Sequence, residues 1–174
     1  LLKEAEGAKR SVEGEVAFAL QTDLLRPLRK GLKEIEQKQL PPEKAAFEKA
    51  KFLEDLRKTL ASNEEKQVLL KEIWGEEFYS EVQKVDDADD LLKIVKNRYE
   101  FAMDKVKEDF ALSEALNKGS AVDPYIYVNM ASGKRDPTKA LNSILRDAQK
   151  YDKKEGGTRA VDALKRALFE RNLF

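Results

Sequence analysis

Chemistry in this chain would have to run on carboxylates, lysines, arginines and tyrosines, because its 174 residues include no His and no Cys. Those two absences remove imidazole acid–base catalysis, thiol nucleophiles, disulfides, Cys/His zinc sites and haem–His ligation. They also remove the Glu-x-x-His ligand pairs of di-iron bundles. The densest carboxylate group is Asp86, Asp87, Asp89 and Asp90. It lacks the glycine and the terminal glutamate that an EF-hand loop requires, and it stands where a helix should begin. Carboxylates accept from the unpaired N–H groups there and favour the positive end of the helix dipole, so capping is the expected role. Ser132-Gly133-Lys134-Arg135 has part of a phosphate-loop pattern. The full pattern wants Gly where Val128 stands, and Ser or Thr where Arg135 stands. Carboxylate pairs such as Glu64-Glu65 and Glu76-Glu77 carry no information in a chain that is 38% charged. The expectation is a non-catalytic protein with no cofactor and no metal.

What remains is surface that must be covered. Tyr125, Ile126, Tyr127, Val128 and Met130 place five large apolar or aromatic side chains between Pro124 and Met130, outside any helical stripe. Such groups are buried somewhere, in the chain itself or in a partner pocket, and Tyr and Met are enriched among binding anchors. Leu173 and Phe174 pose the same question at the end of the chain. Lys134 and Arg135 begin a basic series that continues through Lys139, Arg146, Lys150, Lys153, Lys154, Arg159, Lys165, Arg166 and Arg171. Its aromatic interleaving is limited to Tyr151 and Phe169, which is thin for nucleic acid and better suited to an acidic protein surface. The expected partner-binding set is therefore Tyr125, Ile126, Tyr127, Val128, Met130, Lys134, Arg135, Leu173 and Phe174.

The elements that position these residues read as helices. Val12, Val16, Leu20, Leu24, Leu28, Leu32 and Ile35 recur at i+3 or i+4. Pro27 interrupts that stripe, either kinking one helix or dividing it after Thr22-Asp23. Leu40-Pro41-Pro42 opens the next helix, with Ala46, Ala50, Leu53, Leu56 and Leu60 on its inner face. Ser62 and Glu65 have capping-box spacing and launch Val68, Leu69, Ile73, Trp74, Phe78, Val82 and Val85, a stripe weakened at Gly75. Leu91 to Leu116 is the longest periodic run. Residues 119–136 lose the period and read as a long extended connection. Asp136-Pro137 and Thr158 then begin two final helices, separated by Gly156-Gly157. The expected fold is all-α: an antiparallel bundle of four main helices over residues 1–118, an extended loop over 119–136, and a C-terminal helical hairpin over 137–174, packed on the bundle or on a partner.

Thirty-three Lys and Arg balance thirty-three Asp and Glu, which argues against a general nucleic-acid binder. The balance is uneven: residues 41–118 hold fourteen basic and nineteen acidic groups, residues 119–174 eleven and seven. An acidic middle and a basic end suit docking on other subunits. The longest apolar run is five residues, far short of a membrane span, so any membrane association would be peripheral, through a larger complex. The favoured function is an accessory or scaffold subunit that binds other proteins. In architecture such a bundle resembles the PsbQ-type extrinsic subunits on the lumenal side of a photosystem, which would imply a processed protein of an organelle lumen or an exported one. A carrier or enzyme with an inter-helix cavity, lined by Trp74, Phe78, Tyr99 and Met103, is the remaining alternative.

Overall fold

A computed structural model describes residues 12–116 and 124–170, and every regular element among them is helical. The order is α1 (Val12–Leu20), a π turn (Gln21–Leu25), α2 (Arg26–Gln37), α3 (Pro42–Ala61), α4 (Glu64–Trp74), α5 (Glu76–Lys84), α6 (Ala88–Ala115), α7 (Pro124–Ser132), α8 (Pro137–Glu155) and α9 (Arg159–Glu170). The chain forms two compact units. One is Glu15–Phe101; the other comprises Leu1–Gly14 and Ala102–Phe174. The division between the units falls between Phe101 and Ala102, within α6. The C-terminal helices share a core with the second half of α6.

In the unit Glu15–Phe101 the first apolar stripe is buried as its spacing demands. Val16, Leu20, Leu24, Leu28, Leu32 and Ile35 all lie in the interior. Pro27 follows closely on a π turn. The Arg26 N–H donates to the Gln21 carbonyl, five residues back, and α2 begins with Pro27 in its first turn. Proline has no N–H to donate and its ring crowds the carbonyl four residues earlier; the wider π register absorbs both defects. It also brings two successive residues, Leu24 and Leu25, inside together.

The α3 stripe holds at Leu53, Leu56 and Leu60, but Ala46 and Ala50 are exposed. An alanine obeys the period without having enough apolar surface to require burial. Gly31 on α2 faces Phe52 on α3: a methyl group there would fall 2.2 Å from the ring's Cζ. Gly31→Ala gains helix propensity of about 1 kcal/mol but forces the ring aside, and overpacking costs about 1–3 kcal/mol. The expected net loss is about 1 kcal/mol. It should disappear when Phe52→Leu is added, and a double-mutant cycle by urea unfolding measures that coupling; simple additivity would contradict the contact.

Asn63, not Ser62, caps α4. Ser62 ends α3, with its hydroxyl donating to the Thr59 carbonyl at 2.8 Å, whereas extended Asn63 accepts from the Glu65 and Lys66 amides. Gly75 does more than weaken a helix: at φ +89° it separates α4 from α5, a conformation that only glycine adopts cheaply. The carboxylate group at 86–90 does cap a helix. Asp87 Oδ1 accepts from the Asp89 and Asp90 amides at 2.8 and 3.1 Å. Asp89 pairs with Lys49 at 2.9 Å, and that hydrogen bond raises the lysine's pKa.

In the unit that includes Ala102–Phe174, α7, α8 and α9 pack on one another. Their shared core is Tyr127, Val128, Ala148, Ala160, Ala163, Leu164 and Ala167, joined by Ala111 and Leu112 of α6. Four of these nine are alanines on α8 and α9, and small side chains let helix axes approach closely. Residues 124–132 are helix where the sequence suggested an extended connection. Pro124 fits a first helical turn, and Tyr127, Val128 and Ala131 fall on one face.

Asp152, in the last turn of α8, is buried. It reaches across the left-handed Gly156-Gly157 turn, and its two oxygens accept from the Ala160 and Val161 amides, each at 3.0 Å. The expected cap, Thr158, instead donates its hydroxyl to Asp162 at 2.7 Å. Asp109 of α6 is fully buried, with Arg166 of α9 at 2.8 Å from its Oδ1; Arg166 also lies 3.4 Å from Glu108 Oε1 and from the Lys105 carbonyl.

Candidate functional site

The corner between α7 and α8 gathers the largest share of the expected partner-binding residues. On α7 the apolar residues divide between inside and outside. Tyr127 and Val128 face the core, 5% and 0% exposed, and the Tyr127 hydroxyl donates to Ser113 Oγ at 3.2 Å. Burial pushes the Tyr127 pKa up, partly opposed by that bond. Their reading as partner anchors is corrected: once residues 124–132 coil into a helix, these side chains bury themselves in the chain's own interior. Met130, two and three positions on, points away from that face and is 55% exposed.

The turn that follows exposes the first cations of the basic series. The Gly133 amide donates to the Asn129 carbonyl and the Lys134 amide to the Ala131 carbonyl, closing α7. Lys134 and Arg135 extend from this turn into solvent. Asp136 then caps α8, with its Oδ1 accepting from the Lys139 amide at 3.1 Å. Leu116, Tyr127, Met130, Lys134, Ala140 and Ile144 line a groove of about 290 Å³ here, which Ala131 and Ser143 complete. Lys139 and Arg146 line a second, larger and more open depression of about 630 Å³ on the next face of α8, with Asp136, Thr138, Asn142 and Leu145.

Three expected residues, Tyr127, Met130 and Lys134, thus meet in one groove, Tyr127 by an edge only. Arg135 lies in the same turn. Tyr125 and Ile126 belong to α7, but their side chains lie outside the described residues, as do Leu173 and Phe174. Ala140 and Ile144 were missed as groove residues. Both sit in the inner stripe of α8 and are only partly buried, and their spacing is that of core positions. No local signal separates a core position from one at the edge of a groove.

A separate cleft of about 400 Å³ in the same unit is lined by Lys107, Phe110, Glu114, Tyr151, Glu155 and Arg159, among others. Tyr151 donates its hydroxyl to the Glu114 carboxylate, and this bond is the main cause that pushes its pKa up to about 12. A phenol held neutral in this way transfers no proton near pH 7; it pins α8 to α6. The neutral form is favoured by folding, so the contribution is complete below the unfolded value of about 10 and is lost as pH rises toward 12. Tyr151→Phe should therefore flatten that part of the alkaline loss of stability, read as the difference between the two proteins' melting temperatures from pH 9 to 12. Parallel curves would contradict the bond.

Trp74 is ordinary core. It is 4% exposed, with Phe78 edge-on at 6.0 Å and Tyr79 at 6.1 Å between ring centres. Among the described residues no group of three or more acidic side chains is placed to hold a metal ion, and no helix is long and apolar enough to cross a membrane. No protein-family model, curated protein or solved structure matches the chain.

Proposed function

We propose that this chain is a non-catalytic helical subunit, an antiparallel bundle that binds other proteins within a larger assembly. The α7–α8 corner carries the reading. A half-exposed methionine borders an apolar groove, and cations stand at its lip, the pattern of an anchor region with a polar rim. The polar cleft at Tyr151 offers a neutral phenol bonded to a carboxylate, which supports a structural role for that pair.

The test is the migration of the full chain in native extracts of its own cells. The wild type is expected to travel with a larger assembly. The double variant Met130→Glu/Lys134→Glu, altered only at exposed positions, should travel alone with an unchanged helical circular-dichroism spectrum. A wild-type chain that always migrates by itself, or a variant that stays assembled, would sink the proposal.

A further inference from the structure

We infer that the occupant of the α7–α8 groove is an acidic peptide segment of a partner protein, anchored by one apolar side chain; this rests on the docking reading above. The groove's size comes first. At about 290 Å³ it lies at the lower edge of the range for small-molecule pockets, enough for an anchoring side chain and too small to enclose most cofactors. Its lining is apolar apart from Lys134, Ser143 and the Tyr127 hydroxyl, and that hydroxyl is already bonded to Ser113. Such a surface rewards an aliphatic or aromatic side chain and offers little to a polar one.

Charge selects what surrounds the anchor. Residues 132–146 contain four cations, Lys134, Arg135, Lys139 and Arg146, all exposed, and none forms an ion pair among the described residues. Of the nearest carboxylates, Asp136 is engaged in capping α8 and Asp147 follows Arg146, so the cations outnumber them four to two. An acidic segment in the groove gains attraction from Lys134 and Arg135 at its lip and, where it runs on across the next face of α8, from Lys139 and Arg146, whereas a basic one is repelled. Two other anionic partners fit less well. Nucleic acid binds by stacking on exposed aromatic rings, and Tyr127, the one aromatic among the described side chains of residues 127–146, is buried. An anionic membrane takes up protruding apolar side chains, and among the described side chains of this corner Met130 is the one large apolar group that stands out beside a concavity.

Binding of labelled synthetic peptides to the full chain tests the inference, read by fluorescence anisotropy. The probe is a short peptide with Leu at i and i+4 among Glu residues. Controls replace Leu by Ser, or Glu by Lys. Saturable binding of the Leu/Glu peptide is expected, weakening by about tenfold or more with either control, with Met130→Glu and with Lys134→Glu. Binding should also weaken as salt rises. No binding by the Leu/Glu peptide, equal binding by the Ser control, or indifference to Met130→Glu would overturn the inference. So would preferential binding to phosphatidylserine vesicles, or sedimentation showing the groove closed by a second copy of the chain. If the peptides fail while Met130→Glu/Lys134→Glu still releases the chain from its assembly, the occupant is wrong and the docking reading survives.

Discussion

Replacing Arg166 with methionine is expected to cost about 3–5 kcal/mol of stability, the largest effect of any single change considered for this chain. The reason is Asp109. Its carboxylate is fully buried on α6, and the Arg166 guanidinium approaches its Oδ1 to 2.8 Å. Methionine keeps most of the aliphatic length and removes the positive charge, so what is lost is the ion's compensation rather than packing. Losing this guanidinium raises the cost of keeping the buried carboxylate out of water. Glu108 and the Lys105 carbonyl, both 3.4 Å from the same guanidinium nitrogen, lose a donor as well. Urea unfolding measures the loss as a lowered midpoint. The double variant Arg166→Met/Asp109→Leu should recover most of it, since exchanging a whole buried pair for apolar groups is often neutral. A single variant that loses less than about 1 kcal/mol would show that the pair lies in a wetter environment than its burial indicates.

Asp152→Ala is expected to cost about 3 kcal/mol. Its carboxylate accepts from the Ala160 and Val161 amides, and a hydrogen bond to a charged group contributes about 1.5–3 kcal/mol. The alanine variant leaves two buried or half-buried N–H groups at the start of α9 without their acceptor. Asp152→Asn retains one acceptor oxygen and should lose about half as much. Amide hydrogen exchange reports the effect locally: protection at Ala160 and Val161 should fall before that at Leu164. Unchanged protection at those two amides would mean that the Gly156-Gly157 turn, not Asp152, holds the helix start.

The two residues differ in how visible they are in the chain. Asp152 lies four before Gly156, among Lys153, Lys154 and Glu155, where it reads as one more surface charge. Its role exists only because the glycine turn folds α9 back beside the end of α8. Arg166 belongs to the basic series that suggested a solvated or partner-facing surface, yet its side chain serves the inside of its own unit. Lys134 and Arg135 were legible as surface because they are charged, whereas Met130 was grouped with Tyr127 and Val128 as one apolar set and only the helical turn separates it from them. Tyr127 and Val128 were misread because nothing in residues 119–136 has a helical period long enough to show that nine of them coil.

By itself the sequence determined that this protein is helical, where most helices begin and end, and which leucines of the first stripe go inside. Those properties depend on neighbours three or four positions apart and on caps, prolines and glycines, all of which act within one or two turns. Only the tertiary structure decided that α6 is shared between two units, that Asp109 and Asp152 are buried, and that α7 and α8 leave a groove between Met130 and Ile144. Those outcomes depend on contacts between residues far apart in the chain. A single periodic stripe states that a face must be covered and carries no term for which distant face covers it.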